Sequence, residues 1–304
     1  MRNETTPLRL DPVFEDAGAV LEGVRSASPY RLQSVVDRTN GGQAYTPWFK
    51  AYWAASGNLL RPEAEALFRS PSLLEAAARC FGAEIIRPQA LMVNLQAPMP
   101  ASEVHLDMPH FRGAPARTHA PALLYAMGRS GLFERWRIRI ASALIWFHQG
   151  IGGAFEYWPD GPERPARVAA PPLWNEGLLA DNERMLHCVG QIGPSEAHLP
   201  HDLLRDSAQL HAADADGWTI RDRGADLWRY SAEQLRISIL WKAHALADAE
   251  AANVLDGGRD DLEPERIEAV FARHAREHGF ALPTTDDPRT DSKWIRAVEA
   301  LPPR

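Results

Sequence analysis

Two cysteines, Cys80 and Cys188, in 304 residues are too few for a disulfide framework, and neither stands in a Cys-x-x-Cys spacing that would hold zinc. A chain so poor in thiols suits a reducing compartment. Long apolar runs are missing too. The most hydrophobic stretch, Ile138 to Phe147, is broken by Arg139 and Ser142 and is about half the length of a membrane-crossing helix. Nor is there a basic surplus: 33 Lys and Arg against 40 Asp and Glu leave a net charge of −7 at neutral pH, a field that repels phosphate backbones and anionic lipid. Nucleic acid and membrane are therefore not the expected partners. The first residues carry Arg2, Glu4, Arg9 and Asp11 without the apolar block of a secretion signal, so the expected location is cytoplasmic. No internal repeat or low-complexity segment stands out. The remainder, 45% hydrophobic and 24% charged, is the composition of an ordinary globular protein.

Periodicity predicts a single domain over 1–304, with helical support in 1–84, a strand-rich core in 85–247 and helices again in 248–304. Pro71 to Phe81 follows Ser70 as N-cap, carries Leu73, Leu74, Ala77 and Ala78 at helical spacing, and stops before Gly82. Weaker patterns predict helices over Phe14 to Arg25 and Pro47 to Ala55, the latter from the spacing of Trp48, Phe49, Tyr52 and Trp53. From Ile85 onward, short apolar runs between Pro and Gly clusters predict strands. These are Ala90 to Gln96, Glu103 to Asp107, Arg137 to Phe147, Phe155 to Trp158, Met185 to Val189 and Gln234 to Lys242. Strands without regular intervening helices favour a double-sheet jelly roll over a βαβ sheet, hence a fold that is mainly β with flanking helices. Residues 193–232 read as an insertion that Trp218 and Trp228 keep at least partly ordered. Closing helices are expected at Pro264 to His278 and near Asp291 to Ala300.

Chemistry enters with His105 and Asp107. Side chains at i and i+2 of a strand project the same way, so an imidazole and a carboxylate can grip one ion. His187, 82 positions later (187 − 105), alternates with Leu186 and Cys188 and points inward with Met185 and Val189. Two histidines and one carboxylate on one side of a metal leave positions open for co-substrate and O2, the arrangement of non-haem Fe(II) oxygenases. Alternation in Leu235 to Leu240 aims Arg236 and Ser238 together from one strand face, donors suited to a carboxylate. Asn94 and Gln96 share a strand face and could hydrogen-bond the same group. His110 and Arg112 directly follow the metal motif, and Trp146 and Trp158 lie on strands that could line a cavity, so these four are the candidate substrate contacts. His198, His201 and His211 have no regular spacing and carry no second site.

His105-Leu106-Asp107, then Gly152-Gly153-Ala154-Phe155-Glu156-Tyr157-Trp158-Pro159, then Asp181 to Val189 with its histidine, then Arg236-Ile237-Ser238, resembles in order the Fe(II)/2-oxoglutarate-dependent oxygenase superfamily. Within it the chain is most similar to the phytanoyl-CoA dioxygenase-like branch. The likeness covers roughly Leu91 to His244. It implies a double-stranded β-helix (a cupin-like jelly roll), iron held by His105, Asp107 and His187, and 2-oxoglutarate as co-substrate with Arg236 and Ser238 on its distal carboxylate. It also implies hydroxylation of an unactivated C–H bond of a small organic molecule, with release of succinate and CO2. Halogenases of this kind replace the carboxylate ligand with a small residue, whereas Asp107 is kept. One departure stands out: the family's anchoring Arg follows the distal His much sooner than the 49 positions (236 − 187) seen here, which the insertion would explain. Two other readings stay open at this stage: a cupin-like dioxygenase or isomerase that does not use 2-oxoglutarate, and a non-enzymatic jelly-roll binding protein. Oligomeric state is not legible.

Overall fold

The computed structural model describes residues 5–36, 43–200, 203–214 and 216–304, so His201 lies outside the described residues. The N-terminal third contains β1 (Leu8–Leu10), α1 (Ala17–Ser26), β2 (Tyr30–Val36), β3 (Gln43–Ala55), β4 (Asn58–Leu59), α2 (Glu65–Phe68), α3 (Pro71–Phe81) and β5 (Ile85–Gln96). Next come β6 (His110–Phe111), α4 (Pro121–Ser130), β7 (Arg137–Ile138), β8 (Ile140–His148), β9 (Phe155–Trp158), β10 (Arg167–Ala169), β11 (Leu173–Ala180) and β12 (Leu186–Val189). The chain closes with β13 (Gln209–Ala212), β14 (Trp218–Asp222), β15 (Ala225–Tyr230), β16 (Arg236–Leu246), α5 (Ala249–Gly257), α6 (Pro264–Glu277) and α7 (Ser292–Glu299).

One eleven-stranded sheet runs β1-β11-β8-β16-β5-β3-β2-β13-β14-β15, with β4 hairpinned on β3. A smaller sheet, β10-β9-β12, is extended by His105, whose backbone N–H and C=O exchange 3.0 Å hydrogen bonds with those of His187. The chain alternates between them. Strands β5, β8, β11 and β16 belong to the large sheet, and the His105 segment, β9, β10 and β12 to the small one. The pairing orders β5-β16-β8-β11 and His105-β12-β9-β10 are those of an eight-stranded jelly roll.

Alternation on these strands separates two cores. Leu91, Val93, Leu95, Ala143, Ile145, Ile237, Ile239 and Trp241 point outward and pack with Val20 and Val24 of α1 and Leu73, Ala77 and Phe81 of α3. Trp146, Phe155, Leu173, Leu178 and Met185 fill the space between the sheets. Each such side chain, fully buried, contributes on the order of 2 kcal/mol. A third cluster, built from α4, α6 and α7 around Phe133, Phe271 and Trp294, braces the far end. The helix over Pro71–Phe81 forms as its signals dictate: Ser70 Oγ accepts the Leu73 N–H, and Gly82 takes the left-handed conformation at φ 56°.

Two expectations need correction. Pro47 to Ala55 is not a helix but most of β3, and the supposed helical prelude contributes four strands to the large sheet. The aromatic stripe misleads because aromatic side chains stand on both faces of β3. Phe49 and Trp53 enter the outer core while Trp48 and Tyr52 stand on the inner face, which blurs the period of two. Glu103 to Asp107 forms no strand, only the bridge at His105. The segment 193–232, expected to be at least partly ordered, contributes three strands between β12 and β16: β13 pairs with β2, and β14 and β15 continue beyond it. Among the described residues no helix is long and apolar enough to cross a membrane.

Candidate metal centre

The backbone bridge that joins His105 to His187 also brings their rings together, with centroids 4.4 Å apart and planes tilted by 57°. His105 Nδ1 lies 2.9 Å from the Glu103 carbonyl, and His187 Nδ1 lies 2.9 Å from the Met185 carbonyl. A carbonyl only accepts, so each Nδ1 carries the proton and each Nε2 keeps its lone pair. Such backbone hydrogen bonds fix the tautomer and orientation of a metal-ligating imidazole. Asp107 is pinned by its N–H, which donates to the Asn182 carbonyl at 2.8 Å, and its Oδ1 lies 3.7 Å from His187 Nε2. One ligand atom from each of the three residues lies within 4.8 Å of the others. Donors at right angles about an ion, each about 2 Å from it, sit about 3 Å apart, so small side-chain rotations close the set.

The electrostatics keep His187 and Asp107 in their ligating forms. Burial pushes the His187 imidazole below its ordinary pKa, against the pull of Asp107, and so favours the neutral ring. Burial alone would raise the Asp107 carboxyl, but the Lys242 ammonium and the two imidazoles outweigh it and hold it below the ordinary range. Lys242 Nζ donates to Asp107 Oδ2 at 2.7 Å. This leaves Oδ1 as the oxygen turned toward the histidines.

Register on the inner face of the large sheet builds the rest of the cavity. Arg236 lies opposite Gln96, Ser238 between Asn94 and Trp146, and Lys242 between Ala90 and Ser142. The Arg236 guanidinium is buried. Its Nε donates to the Gly153 carbonyl and its Nη1 to Gln96 Oε1, each at 2.8 Å, while Nη2 has no partner. Burial lowers its pKa to about 10, still well above neutrality, so it stays cationic. Trp146 Nε1, buried in the same interior, also lacks a partner. Asn94 Oδ1 accepts from Trp48 Nε1 at 3.0 Å. A buried cation with an unpartnered Nη2, on the same sheet face as an unpaired indole N–H, offers donors that fit a carboxylate.

His110 Nδ1 lies 2.5 Å from Glu183 Oε1, and the His110 N–H donates to Glu183 Oε2. Arg137, also buried, approaches the same carboxylate at 3.5 Å. Two expected substrate contacts are not brought to the cluster. Trp158 pairs with Leu186 and so projects from the opposite face of β12 and β9, whereas Tyr157, paired with His187, shares its face. Arg112 donates to the Arg259 carbonyl and to Asp261, in a separate cleft lined by Gly113, His119, Leu262 and Pro264. A cleft of about 920 Å³ against α1 and α3 is likewise remote, containing none of the residues of the centre. Sequence reasoning passed over Lys242, although it falls on the same alternating face as Arg236 and Ser238, and Glu183, whose partners are far apart in sequence.

No protein-family model matches the chain, and no curated protein matches it in sequence. Solved structures give low-identity likenesses. An oxidoreductase of the 2OG-Fe(II) oxygenase family from Burkholderia pseudomallei aligns with TM-score 0.44 and 14% identity over 79% of this chain and 86% of its own. A Trichoplax adhaerens prolyl hydroxylase in complex with a hypoxia-inducible-factor peptide fragment aligns with TM-score 0.43 and 12% identity over 83% and 87%. HygX from Streptomyces hygroscopicus, with nickel, 2-oxoglutarate and hygromycin B bound, aligns with TM-score 0.39 and 11% identity over 79% and 83%.

Proposed function

We propose that this protein is a non-haem Fe(II)/2-oxoglutarate-dependent oxygenase that hydroxylates a C–H bond of a small organic molecule. The observation that carries the proposal is the pairing, inside one jelly roll, of a His105–Asp107–His187 cluster with a buried guanidinium whose Nη2 has no partner. Iron held by His105, Asp107 and His187 would supply the oxygen chemistry. The chain's own residues do the rest. Arg236 offers its unpartnered Nη2 to the distal carboxylate of 2-oxoglutarate, with Ser238, Asn94 and the Trp146 N–H grouped around it on the same face. Trp146 therefore belongs with the co-substrate rather than the substrate. The apolar interior formed by Phe155, Leu178 and Met185 excludes water, which protects the reacting centre and strengthens each polar contact. His110 is held by Glu183 with its Nε2 turned from that bond and available to a substrate. The Arg236-x-Ser238 pairing supports the phytanoyl-CoA dioxygenase-like assignment, with β13–β15 accounting for the long gap before it.

Anaerobic addition of Fe(II) and then 2-oxoglutarate should produce a metal-to-ligand absorption band in the visible. His187→Ala should abolish the band by removing a ligand. Arg236→Ala should retain iron and weaken 2-oxoglutarate binding by at least tenfold, the order expected when a charged hydrogen bond is lost. Iron binding with no band and no 2-oxoglutarate-dependent oxygen uptake would sink the proposal in favour of a metal enzyme without that co-substrate.

A further inference from the structure

The inner face of the large sheet does not end at β5. Strand β3 continues it, with Trp48 opposite Gln96, Lys50 opposite Asn94 and Tyr52 opposite Met92, so the three side chains stand on the same face as the co-substrate residues. Lys50 is half-buried between two rings, its Nζ 5.9 Å from the Trp48 centroid and 5.5 Å from that of Tyr52. Among the described residues no carboxylate pairs with it. Trp48 is fixed in place by its N–H on Asn94 Oδ1. Tyr52 lies opposite Met92, which in turn lies opposite Leu240, one same-face step along β16 from Lys242, the residue that holds Asp107. One strand further out, Arg31 stands opposite Lys50, exposed and with no acidic partner among the described residues. Burial lowers the Lys50 pKa, the signature of an ammonium that has lost water without gaining a counter-ion.

We infer that the Trp48–Lys50–Tyr52 face seats an anionic group, a carboxylate or a phosphate, on the substrate, with the apolar part of that substrate against the two rings. The word substrate rests on the oxygenase reading above. The anion seat rests on β3 alone. A half-buried cation flanked by aromatic faces is favoured by the rings only modestly, about 0.5–1 kcal/mol at an exposed site, and an incoming anion supplies the missing partner. Asn94 links the two functions, since it touches the Trp48 indole on one side and lies opposite Ser238 on the other. An anion held at Lys50 would direct the attached carbon skeleton toward the metal instead of out along the sheet.

The test uses the full chain, loaded under nitrogen with Mn(II) and saturating 2-oxoglutarate, and three probes: phenylacetate, phenyl phosphate and the neutral phenylacetamide. Ligand proton NMR reads affinity, and manganese broadening reads closeness to the metal. Wild type should bind at least one acid ten or more times as tightly as the amide, with the probe broadened. Lys50→Met should reduce that preference to near parity, and Lys50→Arg should keep most of it. Tighter phenyl phosphate points to a phosphate ester and tighter phenylacetate to a carboxylic acid; either supports the inference. Equal binding of acids and amide, no binding of either acid, a preference that survives Lys50→Met, or a preference without broadening would each overturn it. The same titrations on metal-free protein separate the two claims. A Lys50-dependent preference there supports the anion seat even if iron and 2-oxoglutarate give no absorption band, in which case the oxygenase reading alone fails.

Discussion

At the scale of single residues the site is defined by what is held and what is left over. His105, Asp107 and His187 each have a side-chain hydrogen bond that fixes the ligating atom, whereas Arg236 keeps Nη2 unspent. Gly153 makes that arrangement possible. It adopts φ +71°, and a Cβ there would come within 2.9 Å of Arg236 Cδ. Gly153→Ala should therefore displace the guanidinium and lower 2-oxoglutarate affinity about tenfold while sparing iron, as calorimetric titration of each ligand would reveal. Asp181 gives a pH prediction. Burial, with Glu183 alongside, raises its carboxyl from an ordinary 3.8 to about 6. The folded state then binds a proton more tightly than the unfolded chain, so this group's stabilising contribution is fully present below about pH 4 and is lost as pH rises toward 6. The swing is at most about 3 kcal/mol. Asp181→Asn should remove this fall, visible as a flatter dependence of urea midpoint on pH between 4 and 6.

At the scale of elements, β13–β15 decide how the long gap between His187 and Arg236 is interpreted. A dispensable lid would carry its own small core or none. Here Leu210, Trp218, Ile220 and Tyr230 are buried in the same cluster as Phe49, Val93 and Ile239. Arg25 of α1 donates to the carbonyls of Ala213 and Gly217, tying the hairpin to the first helix. Trp218→Ala should cost about 3–5 kcal/mol, the usual range for a large buried aromatic. Because that core is continuous, a urea transition should remain single and shift to lower midpoint. A separate early transition for the hairpin would show the segment to be an independent appendage.

At the scale of the whole molecule, what the sequence disclosed follows from which forces are local. The helix over Pro71–Phe81, its caps and the strands Phe155–Trp158 and Leu186–Val189 depend on alternation and turn chemistry within a few residues, and they were legible. So was the grouping of His105, Asp107 and His187, because each carries its chemistry in its side chain. The contribution of β1–β4 to the large sheet was not legible, since pairing partners such as β11 for β1 are set by tertiary contact rather than by local pattern. The same holds for Lys242 and Glu183, whose meaning lies in Asp107, His110 and Arg137 across the fold. Through His105, the metal cluster ties a segment with only one β-bridge to β12 of the small sheet. An ion bound only by the folded state stabilises it by RT ln(1 + [L]/Kd), about 2.7 kcal/mol at a hundredfold excess over Kd. For a chain of this size the midpoint should rise by about 5 °C. In calorimetry, 2-oxoglutarate should add a further rise only when metal is present, because the proposed anchoring depends on both Arg236 and the ion. Arg236→Ala should then keep the first increment and lose the second, and His187→Ala should lose both. A 2-oxoglutarate increment in metal-free wild type would mean that the Arg236 donors work without the ion and that the two halves of the site are not coupled.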